Sequence, residues 1–213
     1  GAVSLEGGQV VPINARRADG YRPPIERAIR VFAKHKASID AVFLCNPNNP
    51  TGQGVDQENV RRLIETASRC GAWAIVDESF IEYCEERSVL PVLNRYSRLL
   101  VLRSFTKFYA IPALRIGYLA GDKAVIRRIR TWQPPWSVNT LSQVAAVASL
   151  GDASYARRSR GFLKRERERL IKRLESIPGI TVYPSVANFL LVGLPAAHRA
   201  KAIADSLGRD GLL

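Results

Sequence analysis

Leu-Leu-Val-Leu-Arg-Ser-Phe-Thr-Lys-Phe-Tyr-Ala-Ile-Pro-Ala-Leu-Arg, residues 99–115, is a short apolar run followed at once by a polar loop that contains Lys107. Four consecutive aliphatic residues bounded by polar ones are typical of a strand that is buried on both faces. The run predicts a strand over residues 99–102, with Arg103 and Ser104 at its end. Lys107 then lies in the loop that leaves the carboxyl end of this strand.

Two stretches upstream have the same design. Residues 41–45 (AVFLC) form an apolar run that leads into the turn Asn-Pro-Asn-Asn-Pro-Thr-Gly at 46–52, and residues 73–76 (WAIV) end at Asp77. A helix-like spacing of apolar residues over 57–70 separates them. Strands alternating with helices predict an α/β fold with a mainly parallel sheet covered on both faces. Ligands of such sheets gather at the carboxyl edge of the strands, so all three loops are expected at one cleft.

The C-terminal part of the sequence differs in character. Residues 152–177 predict a long charged helix, which Pro178 and Gly179 end. We expect a large ligand-binding domain at 1–151, with its N-terminal part missing, and at 152–213 a connecting helix with the truncated beginning of a small α+β domain. The other predicted elements are strands at 116–120, 180–183 and 188–192 and a helix at 197–207.

The chain has 213 residues, begins at Gly1 and contains no Met, which indicates an internal piece of a longer protein. Alone, the fragment is expected to be inactive or poorly folded.

The formal net charge of the chain is +13, and positive charge attracts phosphate groups. Much of this charge lies at 157–173, where acidic residues alternate with basic ones as on a solvated helix face. The pattern favours a small anionic partner over a nucleic acid. No apolar run is long enough to cross a membrane.

The cysteines and histidines do not indicate a metal site or a disulfide framework. Cys45, Cys70 and Cys84 are odd in number and form no CxxC pair, which is typical of thiols in a reducing compartment. His35 and His198 are isolated in the sequence. The predicted location is the cytoplasm, and no metal is expected.

The polar residues at the predicted strand ends are those that a pyridoxal phosphate site needs. A lysine such as Lys107 can form a Schiff base with the aldehyde, and an aspartate such as Asp77 can keep the pyridine nitrogen protonated. Hydroxyl groups and an arginine can hold the phosphate. Each residue also has a plainer interpretation: Lys107 as a solvated amine, Asp77 as a helix cap, and the Asn-rich stretch as a turn.

The order and spacing of these motifs resemble the fold-type I family of pyridoxal-phosphate enzymes, aminotransferase class I and II, over nearly the whole chain. Asp77 lies 28 residues after Asn49 and 30 before Lys107. The resemblance implies that Lys107 is catalytic and that Asp77 contacts the pyridine nitrogen. It further implies that Asn49 contacts the cofactor's ring hydroxyl and the substrate carboxylate. Phosphate ligands implied by the resemblance are Ser104, Arg115 and Thr106.

Phe80 departs from the family pattern. Many members have a Tyr three residues after the aspartate, and its hydroxyl contacts the ring oxygen, whereas Phe has no hydrogen to donate. Other motifs look most like the branch that contains threonine-phosphate decarboxylase and histidinol-phosphate aminotransferase. Those motifs are residues 77–80, 106–112, 135–139, 182–184 and 187–189.

The resemblance implies decarboxylation of L-threonine O-3-phosphate to (R)-1-amino-2-propanol O-2-phosphate, a step of cobalamin biosynthesis. Histidinol-phosphate aminotransferase, or another class I or II aminotransferase, is the alternative enzyme. The ligand-binding half of a transcription regulator is an alternative from a different class. Family resemblance also implies a homodimer with a phosphorylated amino acid or amine as substrate. The loop 133–139 is expected at the dimer interface, and a carboxylate-binding arginine is expected after Leu213.

Overall fold

The computed structural model describes residues 2–35 and 38–212, which form a four-stranded sheet with helices. Strands β1 (Ala41–Cys45), β2 (Trp73–Asp77) and β3 (Leu99–Ser104) are parallel, and β4 (Gly117–Gly121) is antiparallel to β3. Their order in the sheet is β1-β2-β3-β4. The fold is therefore α/β with a mainly parallel sheet, as the sequence predicts.

The helices lie between and after the strands. Their bounds are α1 Ala2–Leu5, α2 Ile25–Lys34, α3 Gln57–Arg69, α4 Lys123–Arg130, α5 Thr140–Gly151, α6 Ala153–Glu175 and α7 Ala200–Arg209. Short 3-10 helices occur at Arg17–Asp19, Ile81–Tyr83, Glu85–Arg87, Leu90–Arg95 and Pro112–Leu114. A second sheet pairs β5 (Thr181–Val182) with β6 (Val192–Gly193). None of the helices in the described ranges is both long enough and apolar enough to cross a membrane.

The main core lies on one face of the large sheet. Alternate residues of β2 and β3 point to this face and are buried, among them Val76 and Val101. They pack in one cluster with the apolar side of α3, where Ile64 is 2% exposed, and with Phe32 of α2. Complete burial of an aliphatic side chain of this size contributes about 1.5–3 kcal/mol. The other face is less covered at β1, where Phe43 is 63% exposed.

Helix α3 agrees with its sequence signals. The Asp56 carboxylate caps its N-terminus by accepting a hydrogen bond from the Asn59 backbone N–H at 2.9 Å. The chain leaves the helix through Gly71, whose φ of +72° lies in the left-handed region. The helix predicted at 57–70 is therefore confirmed. Helix α6 likewise confirms the long charged helix, but it has less of an apolar side than its sequence indicates, since Leu170 is 49% exposed.

The C-terminal strand predicted at 188–192 is mostly wrong. Only Val192 and Gly193 pair with β5. The residues before them turn instead, because the Phe189 carbonyl accepts a 2.6 Å hydrogen bond from Ser185 Oγ and the Phe189 ring packs edge-on against Phe80 at 5.1 Å. A long-range aromatic contact and a local turn thus replace the predicted ladder.

Candidate functional site

Three loops leave the same edge of the sheet. Because β1, β2 and β3 are parallel, their carboxyl ends lie side by side, and Cys45 is in register with Asp77, which is in register with Leu102. Neighbouring strands are about 4.8 Å apart. The Asn-rich turn, Asp77 and the loop that carries Lys107 therefore begin at adjacent positions. The structure brings together the three sequence segments that predicted the site.

The Asn-rich turn is fixed from inside by Asn46. This side chain is fully buried, and its Oδ1 accepts a hydrogen bond from the Val55 N–H at 2.8 Å while its Nδ2 donates to the Val55 carbonyl at 3.1 Å. Asn48 Nδ2 donates to Thr51 Oγ1 at 2.9 Å within the same turn. Asn46 had no predicted role. Its signal was its place as the first residue after the strand.

The turn also contacts the C-terminal part of the chain. Gly52 has φ +71°, and a Cβ at this position would lie 2.2 Å from Ser185 Oγ and 3.0 Å from the Phe189 carbonyl oxygen. The Gly52 carbonyl accepts a hydrogen bond from the Val186 N–H at 2.8 Å. A glycine is required here both by the backbone conformation and by the close approach. The turn that carries Asn49 is thus anchored to this segment through Gly52.

Asp77 lies at the end of β2 and has a local partner. Its Oδ1 accepts hydrogen bonds from the Ser79 N–H at 2.9 Å and from Ser79 Oγ at 2.5 Å. The next helical turn, Ile81–Tyr83, has Phe80 at its N-cap and no side-chain capping bond. Asp77 therefore does not cap a helix, which was the plainer interpretation of this residue.

Cys45 connects the first two loops. Burial raises the pKa of its thiol, a hydrogen bond with the Asn49 backbone lowers it, and the charge of Asp77 raises it again. These influences reflect a thiol that lies beside both residues. Cys45 was predicted only to be a free thiol, although its position at the end of the apolar run 41–45 indicates that it lies at this edge.

Lys107 is exposed and lies over an aromatic ring. Its Nζ is 5.9 Å from the centroid of the Phe80 ring, within reach of a cation–π interaction. Phe80 is buried and follows Asp77 by three residues. The contact brings the amine to the segment that begins at Asp77. Phe80 is a packing aromatic here, as its lack of a hydroxyl group indicates.

Two hydroxyl groups stand next to each other between β3 and Lys107. Ser104 Oγ and Thr106 Oγ1 are 2.8 Å apart, and the Thr106 N–H donates to Ser104 Oγ at 3.3 Å. Thr106 is buried and Ser104 is half-buried. A hydroxyl pair of this kind, with backbone N–H groups nearby, is a suitable donor set for an anion.

Arg115 returns to the same end of the sheet. The Phe105 N–H donates to the Ile116 carbonyl at 3.2 Å, and Ser104 is in register with Gly117, so the loop closes beside the hydroxyl pair. Arg115 is exposed, has φ +48°, and donates from Nη1 to the Pro112 carbonyl at 2.9 Å. In the part of the chain that the structure describes, no carboxylate forms an ion pair with it.

A cavity of about 850 Å³ lies elsewhere, beyond the Asn-rich turn. Its lining includes Arg16, Arg22 and Arg87 but none of the site residues predicted from the sequence. Across residues 2–35 and 38–212, no group of three or more His, Cys, Asp or Glu side chains is arranged to hold a metal ion.

Comparison with known proteins gives two kinds of relative. The chain is 35% identical over 188 residues to a histidinol-phosphate aminotransferase of Thermoanaerobacter pseudethanolicus, covering 88% of this chain and 51% of the relative. It is also 35% identical over 193 residues to the threonine-phosphate decarboxylase of Salmonella typhimurium, covering 90% and 52%. The chain thus spans about half the length of these curated relatives.

A solved structure of one such enzyme also resembles this chain. The crystal structure of histidinol-phosphate aminotransferase from Sinorhizobium meliloti, in complex with pyridoxal-5'-phosphate, superposes with a TM-score of 0.84 at 25% identity, covering 98% of this chain and 55% of that one. The sequence profile of aminotransferase class I and II matches residues 1–212. The chain belongs to the aminotransferase class I and II family of pyridoxal-phosphate-dependent enzymes.

Proposed function

We propose that the sheet edge formed by β1, β2 and β3 holds pyridoxal phosphate and that the whole protein is a threonine-phosphate decarboxylase. The observation that carries the first part is the convergence of a lysine, an aspartate and a pair of hydroxyl groups at adjacent strand ends. The proposed cofactor ligands are Asn49, Asp77, Ser104, Thr106, Lys107 and Arg115.

The donor set fits this cofactor. A pyridinium nitrogen needs a carboxylate, and Asp77 has one that is oriented by Ser79 through Oδ1. A phosphate dianion needs donors, and Ser104, Thr106 and Arg115 supply two hydroxyl groups and a guanidinium at one end of the sheet. An aldehyde needs an amine, which Lys107 supplies. Bound there, pyridoxal phosphate provides an electron sink for the charge that develops at the substrate Cα.

The residues of this chain then have distinct tasks. Asp77 holds a proton on the pyridine nitrogen, which strengthens the pull on electrons at Cα. Asn49, fixed in its turn, orients the ring oxygen and the substrate carboxylate. Lys107 would bind the aldehyde, and its amine, once free, would carry protons at the substrate Cα.

The two candidate reactions differ in the bond at the substrate Cα that would be broken, and the contacts that orient the substrate carboxylate would select it. Loss of the carboxylate as carbon dioxide would be decarboxylation, whereas loss of the Cα hydrogen as a proton would lead to transamination. The decarboxylase proposal is supported by the motifs at 77–80, 135–139 and 187–189, which resemble those of threonine-phosphate decarboxylase. The substrate would be L-threonine O-3-phosphate and the product (R)-1-amino-2-propanol O-2-phosphate, in cobalamin biosynthesis.

Histidinol-phosphate aminotransferase is the second candidate. The identity of 35% to the Thermoanaerobacter enzyme equals that to the decarboxylase, so overall similarity does not favour either reaction. Both candidates use the same cofactor ligands. They differ in how the substrate carboxylate and phosphate are oriented.

The assembly and its setting are part of the same proposal. Apolar side chains that face solvent include Trp132 at 82% and Trp136 at 96% exposure, together with Leu141 and Val144 on α5. Their exposure supports a homodimer in which the loop 133–139 meets a second copy. Free thiols at Cys45, Cys70 and Cys84 support a cytoplasmic location.

The division into a large domain at 1–151 and a small domain at 152–213 stays a prediction. Residue 152 lies directly before α6.

The test uses the full-length protein with pyridoxal phosphate. Borohydride reduction followed by peptide mass mapping is expected to locate the cofactor on Lys107, and a protein that binds none would contradict the site. Carbon dioxide release from L-threonine O-3-phosphate supports the decarboxylase. Glutamate formation in the presence of histidinol phosphate and 2-oxoglutarate would establish the aminotransferase instead.

A further inference from the structure

A group of charged side chains is buried on the core face of the sheet, directly behind the proposed site. Successive residues of a strand point to opposite faces. Glu78 follows Asp77, and Arg103 precedes Ser104, so each of these two proposed cofactor ligands has a charged neighbour on the other face. Glu78 is fully buried, and Arg103 is 8% exposed.

These two residues are joined by direct contacts. Arg103 Nε donates to Glu78 Oε2 at 2.8 Å, and Arg103 Nη2 donates to Ser88 Oγ at 2.8 Å. Ser88 Oγ in turn donates to Glu78 Oε2 at 2.8 Å, and the Val89 N–H donates to Glu78 Oε1 at 2.7 Å. Both carboxylate oxygens of Glu78 are therefore satisfied, which an ionised buried carboxylate requires.

A second carboxylate completes the group. Arg103 Nη1 is 3.3 Å from Glu82 Oε1. Burial would lower the pKa of Arg103, but the charges of Glu78 and Glu82 outweigh this effect and raise it. The guanidinium is thus held as a cation between two acidic side chains that come from the segment following β2. The pair spans 25 residues of sequence.

The contacts connect the ends of two adjacent strands on the side away from the site. The backbone continues the connection, since the Glu78 N–H donates to the Leu102 carbonyl at 2.8 Å. A planar guanidinium bonded through all three of its nitrogens resists both sliding and rotation of one strand end relative to the other. Asp77 and Ser104 are each one peptide unit away from this clamp.

We propose that Glu78 and Arg103 are positioning residues that set the separation between Asp77 and Ser104, and hence between the ligands for the pyridine nitrogen and the phosphate. The inference rests on the proposed function. Asp77 and Ser104 would bind opposite parts of one rigid molecule, so an error in their spacing weakens both contacts. Neither Glu78 nor Arg103 touches the cofactor in this scheme.

The test compares Glu78→Gln with Val101→Ala in the full-length protein. Both positions lie on the core face, and Val101 is two residues before Arg103 but belongs to the apolar cluster. Binding of pyridoxal phosphate is titrated by absorbance, and unfolding is followed in denaturant without cofactor. Glu78→Gln is expected to raise the dissociation constant at least tenfold, whereas Val101→Ala is expected to change it less than twofold at a comparable loss of stability.

Two further variants keep the test decisive where Glu78→Gln does not fold. Ser88→Ala removes one hydroxyl and leaves the ion pair, and Arg103→Lys keeps the charge but loses the planar fork. Each is expected to weaken cofactor binding several-fold and to shift the pH dependence of the absorbance of the lysine-bound cofactor. Equal dissociation constants for wild type and for Ser88→Ala and Arg103→Lys would overturn the inference. Loss of binding already in the wild type would instead overturn the proposed function.

Discussion

At the ends of β2 and β3, the charged side chains on one face of the sheet are paired and buried, whereas those on the other face are exposed. On the core face, Glu78 and Arg103 satisfy each other at 2.8 Å and are shielded from water. On the site face, Lys107 and Arg115 are exposed, and in the described ranges no carboxylate forms an ion pair with either. A charged side chain that stabilises the fold is buried with a partner of opposite charge. A charged side chain that binds a ligand has to stay accessible at a fixed position.

Replacement of Lys107 by Ala gives the largest effect that this comparison predicts. The variant lacks the amine that binds the aldehyde and carries protons, so turnover of the full-length enzyme is expected to fall by about 10²–10⁴-fold or more. Steady-state kinetics and the absorbance of the bound cofactor measure the loss. Lys123→Ala, an exposed lysine at the start of α4, is the control. Equal activity of the two variants would contradict the role of Lys107.

Replacement of Arg103 by Met tests the core face through stability. Glu78 then stays buried without its cation, which is expected to lower the free energy of unfolding by about 3–5 kcal/mol. Denaturant unfolding measures the change. Arg169→Met on the solvated side of α6 breaks the exposed pair with Glu166 and is expected to change it by at most about 1 kcal/mol. Similar losses from both variants would mean that the buried pair contributes no more to the free energy of unfolding than an exposed pair does.

Gly52 provides a third test, at the turn that carries Asn49. Gly52→Ala combines a left-handed backbone with a collision against Ser185, so a loss of about 3 kcal/mol is expected. Gly71→Ala is a matched control, because its φ of +72° is nearly the same and no atom lies within 4 Å of the added Cβ. Its loss is expected to be about 1–2 kcal/mol. If the two variants unfold at the same denaturant concentration, the close packing of the turn on Ser185 does not matter.

The smallest predicted effect concerns pH. Burial raises the pKa of Glu82 from 4.5 to about 6, an effect that the attraction of Arg103 only partly offsets. As pH rises from 4.5 to 6, the unfolded chain releases this proton before the folded chain does. The contribution of Glu82 to stability is therefore lost over this window, by about 2 kcal/mol.

Denaturant unfolding at pH 4.5 and at pH 6.5 checks this effect against other titrations. Glu82→Gln is expected to lose less stability than the wild type between the two pH values. Glu86→Gln, at a side chain that is 73% exposed, is expected to behave like the wild type. A pH dependence that persists unchanged in Glu82→Gln would contradict the assignment.

Sequence patterns predicted the three parallel strands and the loops at their ends, because continuous apolar runs and the polar residues after them are local signals. They also missed four helices, α1, α2, α4 and α5. Helix α2 has apolar residues at Ile25, Ala28 and Phe32, and α4 and α5 begin at the capping residues Asp122 and Asn139, so these signals were present. These three helices could therefore have been predicted from the sequence.

Other features could not be derived locally. The pairing of Glu78 with Arg103 joins residues 25 positions apart, and neither sequence neighbourhood indicates that both would be buried. The exposure of Leu170 on α6 likewise depends on what packs against the helix. Periodicity describes the faces of one element, whereas burial depends on all the elements around it.

The position of Cys45 has a consequence for chemoselectivity at the proposed site. A sulfur nucleophile beside Asn49 and Asp77 could compete with an amine for an electrophilic carbonyl, but only in its deprotonated form. Burial raises the pKa of this thiol, and the charge of Asp77 adds to the effect. The same aspartate that is proposed to activate the cofactor therefore also helps to keep its sulfur neighbour inert, so that the carbonyl is left to nitrogen.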